Sequence, residues 1–145
     1  MFDDYIKLEF PAISSNESFA RAVISSFTAR LDPTLDELSD IKTAVSEAVT
    51  NSIVHAYPET IGKIVMRARI TDDGCVEITI RDTGIGINDI DKAKVPLFTT
   101  GGEERSGMGF TIMQSFMDKV RVRSTVGKGT YIFMSKKIRR RQALK

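Results

Sequence analysis

Cysteine, histidine and tryptophan are nearly missing from this 145-residue chain, which has one Cys, one His and no Trp. A single thiol, Cys75, allows no internal disulfide, and with only His55 beside it there is no ligand set for structural zinc. Redox and zinc chemistry drop out at once. Proline is sparse too: Pro11, Pro33 and Pro58 each end a periodic run, and Pro96 opens a polar stretch. No apolar run approaches the ~18 residues of a membrane span. Acids in Met1-Phe2-Asp3-Asp4 stand where a secretory signal would carry cations, so a cytoplasmic protein with no membrane partner is expected.

An excess of either charge is lacking as well. Lys and Arg number 21 and Asp and Glu 19, a net +2 that points to neither a nucleic-acid binder nor an acidic scaffold. The balance hides a split. Lys136, Lys137, Arg139, Arg140, Arg141 and Lys145 fall in the last ten positions without an acid, which leaves 15 cations against 19 acids in residues 1–135. A mildly acidic body at 1–137 and a solvated basic tail at 138–145 are expected, with no direct contact to nucleic acid.

What is present is a globular composition, 41% hydrophobic and 28% charged. Tyr5 to Ile13 alternates up to Pro11 and predicts an edge strand. From Asn16 the period lengthens: Phe19, Val23, Phe27 and Leu31, with Ala20 and Ile24, predict a helix core stripe opposite Glu17, Arg21, Ser25 and Thr28. Thr34-Leu35-Asp36-Glu37 has the form of a capping box, opening a second helix that should run to about Tyr57. Its apolar stripe is Leu38, Ile41, Val45, Ala48, Val49 and Ile53. A hairpin is expected across Asp72-Asp73-Gly74 and another across Val126 to Gly129. Between them come a short helix over Asn88 to Lys94, a long polar loop from Pro96 to Ser106, and a helix from Gly107 to about Asp118. The order predicts an α/β (α+β) two-layer sandwich, its helices on one face of a mixed, largely antiparallel sheet.

Four places carry chemistry-bearing residues. Glu47 and Asn51 lie one turn apart on the face of the second helix away from its apolar stripe. A solvated face is the plain reading; a proton acceptor beside an oxygen ligand for Mg²⁺ is the other. Asp82-Thr83-Gly84-Ile85-Gly86 follows a strand, either as a simple turn or as a place where backbone and a carboxylate meet a flat ligand with an exocyclic amine. Gly107-Met108-Gly109-Phe110 opens a helix whose first N–H groups would suit an anion. Gly127-Lys128-Gly129-Thr130 lacks the spacing of a phosphate-binding P-loop.

In this order the four pieces resemble the nucleotide-binding boxes of the GHKL ATPase and kinase superfamily. Asn16 to Arg21, Leu31 to Thr34, Ser46 to Asn51, Pro96 to Thr100 and Glu104 to Met113 are further similar to the anti-sigma F family of serine kinases. The resemblance spans roughly Leu8 to Lys136. It implies a Bergerat-type ATP-binding fold with ATP and Mg²⁺ as cofactors. It also implies a homodimer that sequesters sigma factor F and phosphorylates a serine of its anti-anti-sigma factor. Carried over by residue, it makes Glu47 the general base, Asn51 the Mg²⁺ ligand and Asp82 the acceptor for the adenine amine. Gly84, Gly86 and Thr130 would shape the adenine pocket, and Thr99, Thr100 and Ser106 the lid. Gly107, Met108 and Gly109 would hold phosphates, Arg105 would reach the terminal phosphate or the substrate, and Arg21 would grip protein partners. A stress-response anti-sigma kinase, or a sigma-binding module that holds nucleotide without turnover, are the neighbouring readings. A sensor histidine kinase is disfavoured, because His55 sits at a predicted helix end and not on a dimerisation helix.

Overall fold

The computed structural model describes residues 4–56, 61–84, 106–125 and 128–138. Five strands form one sheet: β1 (Asp4–Pro11), β2 (Lys63–Ile70), β3 (Cys75–Asp82), β4 (Lys119–Thr125) and β5 (Gly129–Lys137). Their spatial order is β1-β2-β3-β5-β4, and every pairing is antiparallel. The largely antiparallel expectation therefore stands, with no parallel pair among the described residues. Pro11 closes β1 at the sheet edge, where the missing N–H costs no internal ladder bond.

Both hairpins form as read. At the β2–β3 turn Gly74 takes φ +85°, a conformation that a side chain disfavours. There the Thr71 hydroxyl donates to the Asp73 carboxylate and holds its carboxyl below the ordinary carboxylate range.

Three helices, α1 (Ser15–Thr28), α2 (Leu35–Asn51) and α3 (Ser106–Phe116), cover one face of the sheet. The capping box is realised: the Thr34 N–H donates to Glu37 Oε1 at 2.9 Å and the Glu37 N–H to Thr34 Oγ1 at 3.1 Å. Alternate strand residues such as Ile64, Met66, Ile78, Ile80, Ile132 and Met134 meet Ile24, Ile41, Val45, Phe110 and Met113 in a single core. Two features depart from the sequence reading. The buried stripe of α1 is Ala20, Ile24, Phe27 and Thr28, followed by Leu31 in a 3₁₀ turn (Ala29–Leu31), while Phe19 is 50% exposed. A strict four-residue spacing drifts about 40° per step around a 3.6-residue helix, so Phe19 rotates out and Thr28 rotates in. The second helix also changes character early. After Asn51 it continues as a π-helical segment, Ser52–Ala56. Tyr57 lies outside the described residues, as do the expected helix over Asn88 to Lys94 and the loop from Pro96 to Arg105.

The folded part reaches Ile138, which is 2% exposed and whose N–H donates to the Gly74 carbonyl at 3.0 Å.

Candidate functional site

Asp82 ends β3 directly opposite Thr130 of β5, and the residue is 4% exposed. Three donors converge on it. Ser52 Oγ donates to Oδ2 at 2.7 Å; the backbone N–H groups of Gly84 and Thr130 donate to Oδ1 at 3.0 and 3.1 Å. This satisfies most of a buried carboxylate and fixes its rotamer, leaving acceptor capacity on Oδ2. Gly129 makes the convergence sterically workable: its φ is +117°, and a Cβ there would lie 2.1 Å from the Asp82 carbonyl oxygen. Thr130 Oγ1 lies 3.0 Å from Ser124 Oγ, linking β5 to β4 behind the carboxylate.

The other half of the site is on α2 and α3. Glu47 is half-buried, and its Oε1 would lie 3.4 Å from a Cβ placed on Gly109. Gly109, in the first turn of α3, therefore lies within van der Waals reach of the carboxylate. Asn51 is 9% exposed while Glu47 is half-buried, so the face they share is only partly open to solvent. The α2 and α3 helices pack together, a contact that an isolated helix wheel omits. The π-helical turn after Asn51 sends Ser52 to Asp82, joining the α2 face to the end of β3.

The structure thus brings Asp82, Gly84 and Thr130 into one hydrogen-bonded group, with Ser52 joining it from α2 directly after Asn51, and sets Glu47 against Gly109. Arg21 sits apart on α1, paired with Glu17 at 3.4 Å. Gly86, Thr99, Thr100 and Arg105 lie outside the described residues; Ser106, Gly107 and Met108 are placed as the start of α3 only. Ser52 was not singled out in the sequence, although the polar run Thr50-Asn51-Ser52 interrupting an apolar helix was its available signal.

A cavity of about 190 Å³ adjoins Asp82, Gly129 and Thr130. Two larger hollows of about 430 and 410 Å³ lie on the helix-free face of the sheet, around Arg67, Arg121, Arg123, Tyr131 and Phe133. Convergent donors and acceptors, not volume, locate the site.

The donor set bears on a metal too. Among the described residues no three His, Cys, Asp or Glu side chains cluster, so protein groups alone offer no metal cage. A carboxamide oxygen from Asn51 suits Mg²⁺, which takes few protein ligands and completes its shell with phosphate oxygens and water.

Residues 10–136 match the family model described as a histidine kinase-like ATPase domain. Curated relatives named anti-sigma F factor are 56% identical over 138 residues in Geobacillus kaustophilus (94% of each chain) and 52% over 141 in Priestia megaterium (96% of each). The chain belongs to the anti-sigma F factor family. It therefore carries a kinase-type ATPase domain, for which ATP is the nucleotide. Solved structures agree on the fold. The RsbU and RsbW domains of Rv1364c from Mycobacterium tuberculosis superpose with a TM-score of 0.69 at 19% identity, over 94% of this chain and 32% of that one. The mycobacterial sensor histidine kinase MprB gives 0.57 at 18% identity, over 92% and 99%. Among the described residues no helix is long and apolar enough to cross a membrane.

Proposed function

We propose that this protein binds and inhibits sigma factor F and, as an ATP-dependent serine kinase, phosphorylates and inactivates the matching anti-anti-sigma factor. The observation that carries the reading is the Glu47 carboxylate held against Gly109 in the first turn of α3, where N–H groups and helix dipole favour the phosphates. Adenine fits the other end, its exocyclic amine donating to the free acceptor capacity of Asp82 Oδ2.

In the transfer, Glu47 takes the proton of the substrate serine hydroxyl as its Oγ forms a bond to the γ-phosphorus. The bond from that phosphorus to the β–γ bridging oxygen breaks, and ADP leaves with the electron pair. Asn51 would hold Mg²⁺ in this reading, and the ion when bound would neutralise phosphate charge. Phosphoryl transfer asks the protein mainly for position and electrostatics, which these groups supply. Arg105 and the lid residues Thr99 and Thr100 would close over the terminal phosphate, and Gly86 would complete the adenine pocket. Arg21 would grip the protein partner. We place the protein in the cytoplasm as a homodimer, following the family resemblance.

Incubation with radiolabelled ATP, Mg²⁺ and the cognate anti-anti-sigma protein should yield phosphoserine. Glu47→Ala should abolish transfer, a loss of at least about a hundredfold for a missing base, while ADP still binds. Transfer at the wild-type rate by the Glu47 variant would remove the kinase assignment and leave a nucleotide-dependent binding module.

A further inference from the structure

The strand register lines up side chains in rows across the helix-free face of the sheet. One row, from β1 to β4, is Lys7, Arg67, Thr79, Phe133 and Arg121; the next is Glu9, Val65, Arg81, Tyr131 and Arg123. Tyr131 therefore stands directly between two arginines, and Phe133 between Arg121 and the Thr79 hydroxyl. Both rings are half-buried, and the four arginines are exposed. Among the described residues Arg67, Arg81, Arg121 and Arg123 make no ion pair, whereas Lys7 and Arg69 on the same face are paired with Glu9 and Glu77. The hollows of about 430 and 410 Å³ share Tyr131 and Phe133 as lining residues, and the second shares Arg81, Arg123 and Tyr131 with the 190 Å³ cavity. The three adjoin as one trough from Tyr5 and Lys7 on β1 to Lys128 at the β4–β5 turn. A net charge of +2 for the whole chain hides this local excess of cations.

We propose that this trough is a docking surface for single-stranded RNA. The inference goes beyond the kinase reading and does not depend on it. Charge complementarity asks for a polyanion, since four unpaired guanidinium groups on one face match phosphates. The rings narrow the choice. Phe133 and Tyr131 are two residues apart on β5, about 6.8 Å, so successive unstacked bases of an extended strand can each lie on one ring while the flanking arginines take the phosphates. A duplex keeps its bases stacked and offers the rings nothing. An acidic polypeptide would engage the arginines and leave the rings idle. A second copy of this chain, docked by the same face, would set unpaired arginines against arginines. Thr79, opposite Phe133, adds a hydroxyl where a ribose 2′-OH can pair with it, which selects RNA over DNA.

The test is fluorescence anisotropy of a labelled oligouridylate of about twelve nucleotides, titrated with the full chain. Variants are first checked for a wild-type melting profile. With four phosphates neutralised, affinity should fall about fiftyfold between ~50 and ~200 mM salt. The Arg121→Gln/Arg123→Gln double variant should bind more weakly and lose only about sevenfold over the same range. Phe133→Leu and Tyr131→Leu keep apolar bulk but remove the flat ring, so each should weaken binding about tenfold and leave the salt dependence as it was. Oligodeoxyuridylate of the same length should bind about threefold more weakly than the RNA, a difference that Thr79→Val should abolish. Absence of saturable binding would overturn the proposal, as would equal affinity for a DNA duplex or for the deoxy strand. Competition by polyglutamate as effective as by unlabelled oligouridylate would assign the face to an acidic protein, and equal capture by anionic vesicles would assign it to a lipid surface. Either result overturns the RNA assignment. Sedimentation of the ring variants supplies the remaining check: a wild-type dimer that they convert to monomer would give the face to a second copy, whereas an unchanged mass leaves it free for the strand.

Discussion

Asp82 accepts three hydrogen bonds, and their arrangement determines what a substitution there would do. Oδ1 takes two backbone N–H groups, so an Asn at this position must turn its carbonyl oxygen towards them. Its NH₂ then replaces Oδ2. The Ser52 hydroxyl adapts by rotating to accept, but an adenine amine cannot, and a donor faces a donor in a buried site. Asp82→Asn should keep the fold and weaken ADP binding about a hundredfold, the consequence of unpaired buried donors at about 1–3 kcal/mol each. Calorimetric titration with ADP reads the loss, and a thermal melt verifies the fold. Affinity within threefold of wild type would show that Asp82 does not receive the base. Gly129 belongs to the same argument, since its backbone lies where any side chain would meet the Asp82 carbonyl.

At the scale of elements, what was legible in the sequence was whatever short-range chemistry dictates. The Thr34–Glu37 box, the two hairpins and the edge placement of β1 depend on neighbouring residues and appear where the sequence put them. Features set by packing between elements were not legible. Asn51 reads as facing solvent on the helix wheel yet is 9% exposed in the fold, and the contact from Ser52 to Asp82 joins residues thirty positions apart through a π-helical turn that no periodicity announces. The rotation of α1 has the same origin, because the core chose the Ala20–Ile24–Phe27 side and carried Thr28 in with it. That choice has a cost. Thr28 Oγ1 is fully buried, and among the described residues it is the one buried side-chain oxygen without a hydrogen-bond partner. Valine has the same shape without the hydroxyl, so Thr28→Val should stabilise the protein by about 1 kcal/mol and raise the melting midpoint by about 3 °C. A lower midpoint would mean that the hydroxyl has a partner after all.

The molecule as a whole does not divide where its charge divides. The sequence separates an acidic body from six cations in the last ten positions, but the fold takes in the first of them. Lys136 Nζ donates to the Phe116 carbonyl at 2.8 Å and lies 3.4 Å from Asp40 Oδ2, with its side chain only 14% exposed. The Lys137 N–H donates to Asp118 Oδ2 at 2.8 Å, and both lysines continue the β5 ladder opposite Cys75 and Val76. Ile138 then fills the core beneath the Gly74 turn. These contacts place the working boundary after Ile138, with Arg139, Arg140, Arg141 and Lys145 beyond it. Two truncations separate charge from packing. Ending the chain at Ile138 removes four cations and no described contact, so the melting midpoint and serine phosphorylation should match wild type. Ending it at Ser135 removes two ladder pairs, the half-enclosed Lys136–Asp40 pair and a buried isoleucine, a loss of about 3 kcal/mol dominated by the apolar area. Urea unfolding measures the difference. Equal stability of the two truncations would mean that the end of β5 contributes nothing, whereas lost phosphotransfer in the longer, fully stable one would give the arginines a role in catalysis or substrate capture.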